Sequence, residues 1–199
     1  GVSTALAAML SVVPKVAGFA ALARLGQVFL WSDSALSANS QATLLLWVLA
    51  ALTMTVGNVL ALLQTNLRRL LAYSSVAHGG YMLMGLAAAT QLRGEGLRGV
   101  DAVLFYLAAY GAMTVGAFAV LHALRSGSND LQTIDDLAGL GRARPVLALA
   151  MSLFLFSLIG LPLTAGFSGK LMLFLSVLAA EEQLSDANQG LFVVLAFLG

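Results

Sequence analysis

The chain has 199 residues, 60% hydrophobic and only 10% charged, with a mean hydropathy of +0.93. A soluble domain carries about 25% charged residues, so a soluble enzyme body is excluded and the expected class is all-α, a polytopic transmembrane helix bundle. A net charge of +1 offers no basic surface for nucleic acid, and the absence of cysteine excludes a disulfide frame, thiol chemistry and a thiolate-held cluster.

Apolar runs of at least about 18 residues mark the spans. The first covers 4–30 and is interrupted by Pro14. A polar loop, WSDSALSANSQ (31–41), leads to a second span at 43–63. QTNLRR (64–69) forms a tight polar turn before a third span at 70–90. QLRGEGLRG (91–99) precedes a fourth span at 100–124. The longest loop, 125–145, carries both signs of charge, and Asp135 and Asp136 are placed to open a short surface helix. A long apolar segment follows at 146–180, then an acidic loop at 181–189 and a final span from Gly190. The chain enters a span directly from Gly1, with no signal-type n-region. The expectation is one transmembrane domain fragment over 1–199, starting and ending inside a longer polypeptide.

Lysine and arginine in the loops set the orientation. With the 64–69 turn in the cytoplasm, that side holds Arg68, Arg69, Arg125, Arg142 and Arg144, while the other loops hold Arg93 and Arg98.

The segment 146–180 would be about 50 Å long as one helix, against a bilayer core of about 30 Å. It carries its own break at Gly160, Pro162 and Gly166, because proline removes a backbone donor and clashes with the preceding turn. Two half-helices, 146–160 and 166–180, are therefore expected. Lys170 follows the break and is the one charge between Arg144 and Glu181. A lysine at that depth costs about 2.5–3.5 kcal/mol on insertion scales, so it should face protein or water. Broken helices with an ionisable group at membrane depth are a device of transporters.

Lys15 lies mid-span beside Pro14, too far from either end to snorkel easily. Pro14 should free a backbone carbonyl one turn earlier and kink the helix. Desolvation disfavours the charged form of a lysine, which suits Lys15 and Lys170 to proton exchange. The plainer reading is a fixed cation paired with a carboxylate elsewhere. His78 lies mid-span, and Ser74, His78, Tyr81 and Gly85 share one helix face. Histidine relays protons near neutral pH; equally, it locks helix packing through hydrogen bonds. His122, near a span end, reads as interfacial. Tyr106, Tyr110 and Thr114 form a second stripe, and Thr55 and Asn58 mark the second span. Such residues mostly hold helices together, although they also suit the walls of a water file between the lysines. With two histidines and no acid deep inside the spans, Asp101 standing at the start of one, no metal site is expected. The glycines follow no strand, so they are not a nucleotide-binding pattern.

GNVLALLQTNLRRLLAYSSVAHGGYMLMGL (57–86) resembles the signature of the antiporter-like membrane subunits of respiratory complex I and of Mrp-type cation/proton antiporters. SLIGLPLTAGFSGKLMLF (157–174) resembles that family's interrupted helix, and LSVVPKVAGFAALARL (10–25) its lysine-bearing eighth helix. YLAAYGAMTVGAFAVL (106–121) and DLAGLGRARPVLAL (136–149) fit as well, so the likeness covers nearly the whole chain. The GN…QTN turn, AHGGY and a lysine at 170 look most like the N-type subunits of NADH–quinone oxidoreductases. The resemblance implies a fourteen-helix fold with inverted repeats, of which this chain would cover helix 8 through part of helix 13. Lys15 and Lys170 would match the lysines of helices 8 and 12. The chain departs from the family's usual prolines at GVSTAL (1–6) and at Leu163, and Arg68 stands where lysine is common.

The implied function is proton translocation coupled to quinone reduction elsewhere in the complex. Lys15, His78 and Lys170 would carry the protons; Ser74, Tyr81, Tyr110 and Asn58 would support them. No cofactor is expected on this chain, since quinone, NADH, FMN and Fe–S clusters would belong to the complex. The expected partners are the lipid bilayer and other membrane subunits, in a bacterial inner membrane. Two alternatives stay open: a subunit of a sodium/proton antiporter, and a structural subunit that does not conduct. Sodium favours oxygen ligands, and the lack of a carboxylate deep in any span weakly disfavours a sodium site, while two costly lysines argue against an inert role.

Overall fold

The computed structural model describes residues 4–25, 36–89, 99–124 and 133–182. The final span from Gly190, most of the 91–99 loop and the first part of the 125–145 loop lie outside the described residues. Among those described, the chain is all-α. Its helices are α1 (Thr4–Leu25), α2 (Leu36–Leu62), α3 (Leu67–Ala89), α4 (Gly99–Ala123), α5 (Leu140–Ala143), α6 (Pro145–Ile159) and α7 (Ala165–Glu182), with a 3₁₀ turn at Asp135–Leu137.

Three differences from the expected boundaries have clear causes. First, α1 runs through Pro14 as one helix instead of being interrupted there. Second, α2 starts at Leu36, inside the segment read as loop. At 27 residues it is about 40 Å long, longer than the hydrocarbon core, so its polar first turns reach beyond the apolar layer. Third, α3 begins at Leu67 rather than after Arg69, because Asn66 caps it: its Oδ1 accepts from the amides of Arg68 at 3.1 Å and Arg69 at 3.2 Å.

α3 and α4 form the centre. α2 folds back along α3, α1 lies against α4 and α3 on one flank, and α6 and α7 lie against α4 on the other. By length and composition, α1, α2 and α4 each hold a stretch able to cross a membrane. α3 is more polar, but it is the inner helix: from Ala77 to Ala89 only Gly79 and Leu83 are more than marginally accessible. Its polar side chains therefore meet other helices. Close backbone approach fixes the α2–α3 pair. A Cβ at Gly80 would stand 2.8 Å from the Met54 nitrogen and 3.0 Å from the Ala50 carbonyl oxygen.

The turn after α2 meets the loop before α5. The Ile134 amide donates to the Thr65 carbonyl at 3.1 Å, and Asn66 pairs with Thr133. Arg68, Arg69, Arg142 and Arg144 thus lie at one end of the bundle, and Arg144 donates to the Ala123 carbonyl at 3.1 Å. At the opposite end, Arg24 falls in the last exposed turn of α1. Its charge narrows the bias read from the loops alone.

Gly80→Ala in the full-length protein should lower stability by about 1–3 kcal/mol, because backbone rather than flexible side chain blocks the added methyl. Gly141, with open space around it, is the control: Gly141→Ala should be neutral or slightly stabilising. Thermal unfolding midpoints of the two variants test the contrast, and equal midpoints would contradict this packing.

Candidate functional site

The break between α6 and α7 begins with Gly160, whose φ of 91° is left-handed backbone that glycine adopts without strain. The amides of Gly160 and Leu161 both close on the Phe156 carbonyl, each at 3.0 Å, and end α6. Leu163 also takes a positive φ, 76°, which a proline ring locked near −65° could not adopt. The helix resumes at Ala165, so the break covers 160–164 and Gly166 belongs to α7 rather than to the linker. The Thr164 hydroxyl accepts from the Phe167 amide at 3.3 Å and caps α7. Gly166 lies so close to α6 that its amide bonds the Ser157 hydroxyl at 3.2 Å and any Cβ would overlap the Ser157 carbonyl.

This break leaves the end of α6 with unpaired carbonyls, and Lys170 takes one of them. Its ammonium donates to the Ile159 carbonyl at 3.1 Å and lies 4.7 Å from the centre of the Tyr81 ring. The lysine faces the bundle, half-buried, with its stem against Gly160. Tyr81 is anchored in turn by Asn58 of α2, whose amide donates to the phenol oxygen at 3.4 Å.

Lys15 reaches the same centre from the opposite flank. Its ammonium donates to the Ser11 carbonyl at 3.1 Å and to the Ser75 hydroxyl, 5.3 Å from the centre of the Tyr110 ring. It thus bonds the carbonyl next to the one that Pro14 frees. The Tyr110 hydroxyl points to the same Ser11 carbonyl at 3.5 Å.

His78 sits between the two lysines, buried in a cage of tyrosines. Its ring centre is 5.1 Å from that of Tyr110, 5.7 Å from Tyr81 and 5.9 Å from Tyr106, and its Nδ1 is 2.5 Å from the Tyr106 hydroxyl. Each lysine lies over a ring that also flanks the imidazole, Lys15 over Tyr110 and Lys170 over Tyr81. The order across the bundle is Lys15, Tyr110, His78, Tyr81, Lys170. Among the described residues no carboxylate pairs with either lysine, and no group of three or more His, Cys, Asp or Glu gathers to hold a metal. Chemically, the line joins two ammonium groups to an imidazole that can hold or release a proton, through phenols and hydroxyls that both donate and accept.

Some expected positions shift. Ser75, not Ser74, meets Lys15. Tyr106, read as packing, is the direct partner of His78. Ser11 and Ser157, each supplying bonds at a lysine or at the break, were not singled out in the sequence. Thr114 is buried, Thr55 exposed, and His122 exposed in the last turn of α4.

Residues 1–196 match the family described as NADH:quinone oxidoreductase/Mrp antiporter, TM. The chain is 44% identical to NADH-quinone oxidoreductase subunit N of Trichlorobacter lovleyi over 205 aligned residues, covering 100% of this chain and 37% of that protein. It is 46% identical to NADH-quinone oxidoreductase subunit N 1 of Herpetosiphon aurantiacus, over 87% of this chain and 33% of that one. A chain in the solved structure of respiratory complex I from Thermus thermophilus with bound aureothin superposes with a TM-score of 0.58 at 38% identity, over 77% of this chain and 32% of that chain. The chain spans about a third of the length of the relatives it matches. It belongs to the membrane-spanning NADH:quinone oxidoreductase/Mrp antiporter family.

Proposed function

We propose that the full protein is a proton-translocating membrane subunit of a bacterial NADH–quinone oxidoreductase, set in the inner membrane among the other membrane subunits. Lys15, His78 and Lys170 are its proton-carrying groups on this part of the chain. The observation that carries this reading is the line from half-buried Lys15 through buried Tyr110, His78 and Tyr81 to half-buried Lys170, with both ammonium groups held, among the described residues, by carbonyls and ring faces instead of carboxylates.

Protonation of either lysine raises the electrostatic potential at His78 and at the other lysine, and the poorly screened interior keeps that coupling strong. A proton arriving at one station thus favours release from the next. Hops across the ring spacings need bridging water or hydroxyl rotation. The names of the relatives favour a redox-coupled complex over a sodium antiporter, as does the absence of carboxylate beside the described lysines, since sodium takes oxygen ligands. Quinone, NADH, FMN and Fe–S chemistry would reside on other subunits, and this chain's residues would move protons alone.

Lys170→Ala should lower proton uptake into sealed vesicles about tenfold or more, since a positioned proton-transfer group supplies about 100-fold or more in its own step. The amount of assembled complex should stay near normal, because the change also removes an expensive buried charge. Lys170→Arg should not restore pumping, as arginine does not release its proton. Normal pumping by an assembled alanine variant would make Lys170 structural.

Lys15→Gln keeps a long hydrogen-bonding side chain but no titratable amine. It should assemble and fail to pump at the normal rate. Full activity here, measured by the same vesicle assay, would move the route away from α1.

A further inference from the structure

Tyr106 is a buried titratable group that the proton route above leaves without a task. It is fully buried, and its hydroxyl lies 2.5 Å from the Nδ1 of His78. Its ring meets the Tyr81 ring edge-on, 90° apart at 6.5 Å between centres. Its other side fills the space over Gly169, where an added Cβ would overlap its ring. Gly169 precedes Lys170, so one side chain touches both the imidazole and the half-helix that carries the lysine. The titratable groups that face His78 are Tyr81 from its own helix, Tyr106 and Tyr110 from α4, Lys15 from α1 and Lys170 from α7.

A neutral imidazole has one N–H and one lone pair, and the bond made by one nitrogen decides the state of the other. A phenol oxygen both donates and accepts. With Nδ1 taken up by Tyr106, a proton coming from either lysine can enter the ring only at Nε2, which requires the lone pair there to be free. That form has the proton on Nδ1, and the partner of Nδ1 is Tyr106. We infer that Tyr106 is the positioning residue of the relay: its oxygen accepts the Nδ1–H bond of His78, which leaves the Nε2 lone pair as the port that takes up and returns protons. The ring of Tyr106 against Gly169 keeps that geometry in register with Lys170. In the exchange, Nε2 accepts a proton from an ammonium, which becomes a neutral amine. The imidazolium then returns that proton from Nε2 to a neutral amine, and Nδ1–H stays on Tyr106 throughout. The assignment rests on the proposed proton route.

The test is a double-mutant cycle in the assembled complex, read as proton uptake into sealed vesicles across a range of pH. Tyr106→Phe keeps the ring over Gly169 and removes the oxygen. It should lower pumping about threefold to tenfold, the worth of one buried hydrogen bond, and displace the pH profile while the amount of complex holds. In a His78→Gln background the same change should have no further effect. An unchanged rate in Tyr106→Phe overturns the assignment, as does an equal loss in both backgrounds, which marks a role independent of His78. If the phenylalanine variant does not assemble, 3-fluorotyrosine at position 106 keeps size and hydroxyl but acidifies the phenol. A displaced pH profile then supports the assignment, and an unmoved one overturns it. His78→Gln alone separates the two levels: normal pumping there sinks the proton route itself, whereas a defect there with a silent or additive Tyr106→Phe sinks only the role of Tyr106.

Discussion

Two ammonium groups inside an apolar bundle, with no carboxylate beside either among the described residues, set the terms for the residues around them. Leaving a charge unpaired in low dielectric is prohibitive. The chain meets this demand twice with the same parts. Lys15 has the Ser11 carbonyl and the face of Tyr110; Lys170 has the Ile159 carbonyl and the face of Tyr81. Carbonyl dipoles and ring quadrupoles stabilise a cation without binding it as tightly as a carboxylate would. A group held this way keeps its charge available for exchange.

The two solutions differ in backbone. At Lys170 the helix is cut, and the ammonium sits at the C-terminal end of α6, where unpaired carbonyls concentrate the negative end of the helix dipole. At Lys15 the helix runs on through Pro14, so the lysine must borrow a carbonyl from an intact turn and take its second bond from Ser75 on the neighbouring helix. Lys170 is thus held mainly within its own α6–α7 unit, and Lys15 between α1 and α3. Tyr81 and Tyr110, the rings under the two ammonium groups, also flank His78. The charge state at either flank therefore bears on one imidazole through a single ring.

Much of this was legible in the residues. The length of the 146–180 segment and its Gly160 and Pro162 locate the break, and insertion cost alone turns Lys170 inward. Helix starts were harder, because hydropathy marks the apolar layer while helices extend past it. The polar turns from Leu36 and the Asn66 cap carry no apolar signal. The choice between Ser74 and Ser75 shows a second limit. Each lies within about 60° of His78 around a helix with 3.6 residues per turn, so spacing alone left both on its face. Only the side from which α1 approaches selects Ser75. The pairing of His78 with Tyr106 joins positions 28 residues apart on different helices, and no periodicity within either helix encodes it.

The same reasoning explains why α3 can be the least lipid-like of the long helices and still lie at the centre. Its Ser75, His78 and Tyr81 would each be penalised in acyl chains, yet they are the groups that two lysines need nearby. Burying them requires α2 and α4 to press close, and Gly80 against Met54 and Ala50 permits that on one side. Polar content in α3, small residues where it meets its neighbours and lysines entering from both flanks are therefore one constraint expressed three ways. An apolar α3 would insert more readily, but it would leave Lys15 without its Ser75 bond and both lysines without an imidazole between them.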